Sequence, residues 1–140
     1  MKALRHIANI RSVNMELMAA RQAFEAPRAL AQTLPAPSDM LNQAQIDHSE
    51  AEVIRTHLES KLGKGAQVSP SGDIGLLLAE GVNLASKSEA AFRQLGDKER
   101  EIKALKVKVL LLAHDTRKQR YRESVTLLSR LEREVSRNLR

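Results

Sequence analysis

Four histidines, His6, His48, His57 and His114, are the first residues of this 140-residue chain to test for chemistry. Two imidazoles on one helix hold a metal ion together when they sit four positions apart, on a common face. No pair among the four has that spacing. His48 and Glu52 do, and Asp47 is adjacent, yet two ligands make no metal centre. His6 and His48 fall on apolar stripes, where a histidine is a hydrogen-bonded seam residue that sets register. Asp47, His48 and Ser49 are the three residue types of a hydrolytic triad, but successive positions on one helix point to different faces. There is no GxSxG elbow. Gly63-Lys64-Gly65 lacks the GxxxxGK[ST] pattern and the preceding strand of a phosphate-binding loop. The absence of cysteine removes disulfides, thiolate zinc sites and thiol nucleophiles. The sequence predicts no catalytic residue, no metal ligand and no cofactor, and a protein that is not an enzyme.

The other concentration of chemistry is the run HDTRKQRYRES from His114 to Ser124. Arg117, Lys118, Arg120 and Arg122 put four basic residues into six positions, and Arg130, Arg133, Arg137 and Arg140 follow at steps of three and four. Guanidinium groups make forked contacts to phosphate, so these residues are candidate phosphate-binding groups. Such contacts give affinity without reading sequence and weaken with salt. Tyr121 is the one aromatic nearby, too little for a base-stacking platform. The plainer reading is a solvated helix face, with Glu123, Glu132 and Glu134 interspersed.

The net charge of +6 sits entirely at this end: residues 1–96 hold ten Lys+Arg and ten Asp+Glu, and residues 97–140 hold thirteen against seven. Such asymmetry hints at a polyanionic partner.

These residues must be carried by helices. Residues 2–33 repeat apolar positions at alternating steps of three and four: Ala3, His6, Ile10, Val13, Leu17, Ala20 and Phe24. That is a coiled-coil seam of three heptads. Pro27 should end or kink it, and the segment from Leu34 to Ser38, with two prolines, reads as a stiff extended linker. Ser38 or Asp39 is placed to cap a second helix over 39–62, with Leu41, Ala44, His48, Ala51, Ile54, Leu58 and Leu62 as its stripe. Gly63 and Gly65 stop it.

Residues 63–73 read as a loop or hinge. Asp73 is expected to cap a short apolar helix to about Ala85, in which Gly75 and Gly81 either weaken the helix or admit a close neighbour. Ser86 and Glu89 have capping-box spacing. From there to Leu139 no proline occurs and Gly96 alone interrupts. Leu95, Ile102, Leu105, Val109 and Leu112 form one seam; Tyr121, Leu128, Leu131 and Val135 form another, with Ser124 and Asn138 between. The two are out of phase by about two residues, and the slip falls in the basic run, where a helix changes its supercoil or its partner. Leu105 to Val109 alternates like a half-buried strand, but its charged, proline-free flanks favour helix.

Aromatics are 2% of the chain and apolar residues 42%. Burial must come from Leu, Ile, Val, Met and Ala, which suits thin seams between helices. The expectation is an all-α protein, a helical hairpin or small bundle with a long C-terminal coiled-coil-like helix. It divides into an N-terminal helical pair (1–62), a hinge (63–73) and a C-terminal segment (74–140). The longest apolar run, Val109 to Ala113, is far short of the roughly 20 residues of a membrane span. No signal peptide is visible, so the expected location is the cytoplasm or a macromolecular assembly.

The predicted role is an assembly or adaptor subunit that meets other chains, or copies of itself, through Ile10, Val13, Leu17, Phe24, Leu105, Val109, Leu112, Leu128, Leu131 and Val135. The alternative is a small basic subunit that grips nucleic acid nonspecifically through its C-terminal arginines.

Overall fold

The computed structural model describes residues 16–138. Among them the chain is all α: α1 (Glu25–Gln32), α2 (Ser38–Leu62), α3 (Asp73–Gln94), α4 (Lys98–Leu112) and α5 (Gln119–Asn138), with residues 16–22 helical ahead of α1. Together they form a small helical bundle. Ala3, His6, Ile10 and Val13 of the N-terminal seam lie outside the described residues.

The proline at position 27 kinks the first segment rather than ending it. The helix of residues 16–22 opens into a turn at 23–24 and restarts as α1, where Pro27 stands in the first turn and its missing N–H is no loss. The stretch from Leu34 to Pro37 is a bend and turn, not an extended linker. The Ser38 and Asp39 side chains do not cap α2; Pro37 occupies that position and Ser38 is the first helical residue.

The core explains the rest. Ala51, Ile54 and Leu58 of α2 pack with Leu78, Val82 and Ala85 of α3 and with Val107, Leu111 and Leu112 of α4, joined by Val68 from the loop. A second cluster, Ala44, Phe92 and Ala104, closes the other end of the same three helices. The helices therefore run up and down, each antiparallel to the one before. Gly81 is where they come closest: a Cβ there would stand 2.9 Å from the Ile54 Cγ2 methyl and 3.3 Å from the Leu111 methyls.

α3 runs through Ser86 and Glu89 without a break, so their spacing is no helix start. The Ser88 hydroxyl bonds back to the Ala85 carbonyl (3.0 Å), and Glu89 turns to Arg93 and Lys108. α3 ends at Gly96, which has φ +75°; the Gly96 amide donates to Arg93 O and the Asp97 amide to Phe92 O. This is a Schellman cap, for which glycine is the favoured residue. Asp97 then caps α4 by accepting from the Arg100 amide at 3.1 Å.

The proline-free C-terminal run is three helical pieces rather than one long helix. It breaks first at Gly96 and again over 113–118, inside the basic stretch and at the phase slip. The second break needs no glycine or proline, because polar side chains take over the backbone. Asp115 accepts from the Arg117 amide at 2.8 Å, an Asx turn, and the Lys118 ammonium donates to Ala113 O at 2.8 Å. The chain reverses, and α5 packs Leu131 against Ile102 and Leu105 of α4. Residues 105–109 are helical, as their flanks predicted.

Candidate functional site

The basic stretch is assembled by a meeting of two loops. The Val68 amide donates to the His114 carbonyl at 2.7 Å, the His114 Nδ1–H donates to the Ala66 carbonyl at 2.7 Å, and the Gln67 amide group donates to Ala113 O at 2.9 Å. Val68 and Asp115 form an isolated parallel bridge. The 63–72 connection is thus fastened to 113–115, and the basic run leaves this knot at a fixed point.

Arg117 is exposed but committed: its guanidinium holds Asp115 at 3.1 and 3.2 Å. Burial opposes ionisation of Asp115. The hydrogen bonds and charge of Arg117, with Arg120 adding, outweigh it and hold the carboxyl below its usual range. Lys118 lies 5.6 Å from the Tyr121 ring centroid, within cation–π reach. Arg120 and Arg122 are exposed.

On α5 the charges are sorted by face. Glu134 pairs with Lys98 (3.0 Å) and Glu132 with Lys106 (3.8 Å), both on α4. Arg122, Arg130, Arg133 and Arg137 occupy the side opposite buried Leu131, and none has a carboxylate partner among the described residues. Glu132 and Glu134 are turned to the neighbouring helix, Glu123 stays exposed and accepts from Gln119 of its own helix, and these four arginines are turned outward.

Of the apolar residues predicted to meet other chains, Leu105, Leu112 and Leu131 are buried by the chain's own helices. Val109, Leu128 and Val135 are half-buried. Leu17 and Phe24 are half-buried on the N-terminal segment; Ile10 and Val13 lie outside the described residues.

That segment carries two of the most exposed large apolar side chains among the described residues, Leu30 at 67% and Met18 at 61%, with Leu76 of α3 between them at 62%. Phe24, Leu30 and Leu34 face Ile46 of α2 across an open groove of about 350 Å³, with Asn42, Gln45 and Ser49 on its rim. Ion pairs hold the groove in shape. Arg28 bonds Asp47 and Glu50 of α2, the latter at 2.7 Å, and Arg21 bonds Glu50 (3.2 Å) and Glu80 of α3 (2.8 Å). Burial works against the Arg28 charge, but the hydrogen bonds and charges of Asp47 and Glu50 win and raise its pKa.

A second ionic cluster has no counterpart in the sequence reading. Buried Glu89 and Glu101 share Arg93 at 2.7 and 3.0 Å, and Lys108 reaches Glu89 at 3.2 Å. The Glu101 hydrogen bond does most to raise the Arg93 pKa. Two carboxylates this near would suit acid–base chemistry only if one were free; both are held by cations, which makes the cluster a clamp between α3 and α4. The i, i+4 spacing of Glu89 and Arg93 was its only trace in sequence.

The histidines are dispersed. His48 is half-buried with Nδ1 unpartnered among the described residues. Burial lowers its pKa, Lys103 adds to this and Glu52 opposes it. Asp47 serves Arg28 and Ser49 is exposed, so the Asp47, His48 and Ser49 set is not brought together. Among the described residues no group of three or more His, Asp or Glu is placed to hold a metal ion, and no helix is long and apolar enough to cross a membrane.

Comparison with protein-family models, with curated proteins and with solved structures gives no match. The fold defines the class, an all-α helical bundle, and the surfaces must speak for the role.

Proposed function

We propose that the chain is a non-enzymatic assembly or adaptor subunit, in the cytoplasm or within a macromolecular assembly, that docks an apolar helix of another protein chain, its own copies included. The observation that carries this reading is the groove between α1 and α2. Leu30 is two-thirds exposed beside half-buried Phe24, Leu34 and Ile46, on a helix clamped to α2 by Arg28, with Arg21 of the preceding helical stretch tied to Glu50 as well. An amphipathic partner helix covers such a groove with anchors at steps of three and four. The seam residues buried inside the bundle support the fold; the contact falls to the apolar groups left outside it. Leu30→Glu tests this. Circular dichroism should be unchanged, while the mass increase with concentration in sedimentation, or recovery of the native complex, should be lost. A wild-type chain that stays monomeric at all concentrations and brings down no partner would count against the proposal.

The outward arginines of α5 favour a second reading, nonspecific binding of nucleic acid. Each phosphate contact contributes about −0.9 to the slope of log affinity against log salt on duplex DNA. Replacing Arg130, Arg133 and Arg137 by Gln should flatten that slope by roughly two to three; an unaltered slope would remove these residues from the account.

A further inference from the structure

Where the 63–72 loop, α3 and the 113–118 connection meet, the molecule encloses a cavity of about 210 Å³. Its floor is apolar, made by Val68, Leu78 and Val82, all buried. Its mouth is charged. Asp115 and Arg117 stand on one side as an ion pair, and Arg120, with no ion pair among the described residues, stands beside them. Asn83 and Ser86 of α3 complete the wall. The Ser86 hydroxyl is buried and has no hydrogen-bond partner among the described residues. A buried hydroxyl left unpaired costs about 1–3 kcal/mol, so its presence here calls for a partner.

We propose that this cavity binds a small monocarboxylate with a short hydrocarbon stem. Two guanidinium groups against one carboxylate leave a single positive charge at the mouth, which one anionic charge balances and a cation does not. Arg120 supplies the free fork, the geometry that suits a carboxylate. The stem lies on Val68, Leu78 and Val82. Asn83 offers an amide donor, and rotation about one side-chain bond turns the Ser86 hydroxyl toward the bound oxygen. The volume falls below the roughly 300 Å³ at which pockets for drug-sized ligands begin, which restricts the ligand to a short acid. Bound there, the acid touches both loops of the knot at once.

The test uses the full chain, methyl-labelled for NMR, with valerate, pentanol and pentylamine as probes. Valerate should give saturable shifts at the methyls of Val68, Leu78 and Val82. Pentanol and pentylamine should bind at least about tenfold more weakly, a difference of ~1.4 kcal/mol. Arg120→Gln should weaken valerate by a similar factor. Ala79→Leu, at an exposed position of α3 that lines the cavity, should fill the space and abolish the shifts. Both variants keep the core intact, so their spectra report binding rather than unfolding. Pentanol binding as tightly as valerate, absence of saturable shifts at those three residues, or an Arg120→Gln variant that binds valerate unchanged would each overturn the proposal.

Discussion

Val68 and His114, 46 residues apart, are joined through the backbone: the Val68 amide donates to the His114 carbonyl at 2.7 Å, and the His114 ring in turn donates to Ala66. One fully buried residue, 0% exposed, thus offers its carbonyl and its ring to the same loop. A single residue, through its carbonyl to Val68 and its ring to Ala66, ties the end of α4 and the start of the basic run to the loop that brings Val68 into the core.

Replacing His114 by Ala removes the ring, leaves the Ala66 carbonyl without its donor and opens a cavity. The expected cost is about 2–4 kcal/mol, from the unpaired group and the lost packing together. Urea denaturation gives the total. Hydrogen exchange separates the local part: the Val68 amide should lose protection by more than the Ile54 amide at the centre of the core. Equal loss at both would mean that the ring supports the whole bundle and not the knot.

The half-buried histidines set a pH dependence. Burial lowers the His48 pKa from its usual 6.5, with Lys103 adding and Glu52 opposing, and burial with Lys61 lowers that of His57. Below pH 6.5 the unfolded chain therefore binds protons that the folded chain resists. More protons on the unfolded state means that stability falls as pH falls through that value, and levels off once the folded imidazoles also charge. Urea midpoints should drop between pH 7 and about pH 5.5. The double variant His48→Gln and His57→Gln should flatten this drop; a wild-type profile that is flat or rising toward acid contradicts the assignment.

How far the sequence reveals this fold depends on whether the signal is local. α2 was legible almost to the residue, because its stripe of Ala44, Ala51, Ile54 and Leu58 is regular and Gly63, with φ +90°, ends it. Gly96 was legible as an interruption for the same reason. Gly81 was legible as a place of close approach, though not as to which helices meet there. The break at 113–118 was visible only as a slip in the apolar phase. What makes it a reversal is the capture of His114 by Ala66 and Val68, a contact between distant parts of the chain that no periodicity records. Ser86 and Glu89 misled because the same spacing serves a cap at a helix start and ordinary positions in a helix interior; the choice falls to packing, here Glu89 against Arg93 and Lys108. The arginine stripe was legible in spacing, but its outward orientation follows only once Leu131 is seen against Ile102 and Leu105.

Leu131 also separates folding from association. It is 6% exposed, within the cluster that joins α5 to α4, whereas Leu30 is 67% exposed and touches open groove. Leu131→Ala should cost about 2–4 kcal/mol through the cavity it leaves. Since both faces of that contact belong to one chain, the loss should be the same at any protein concentration. Leu30→Ala should change stability by no more than about 0.5 kcal/mol, as exposed substitutions do, while weakening association. Unfolding curves at two concentrations about fifty-fold apart distinguish the two, because a contact shared between chains makes apparent stability depend on concentration. A Leu131→Ala cost that shrinks on dilution would place that seam between chains and transfer the docking role from the α1–α2 groove to the α4–α5 face.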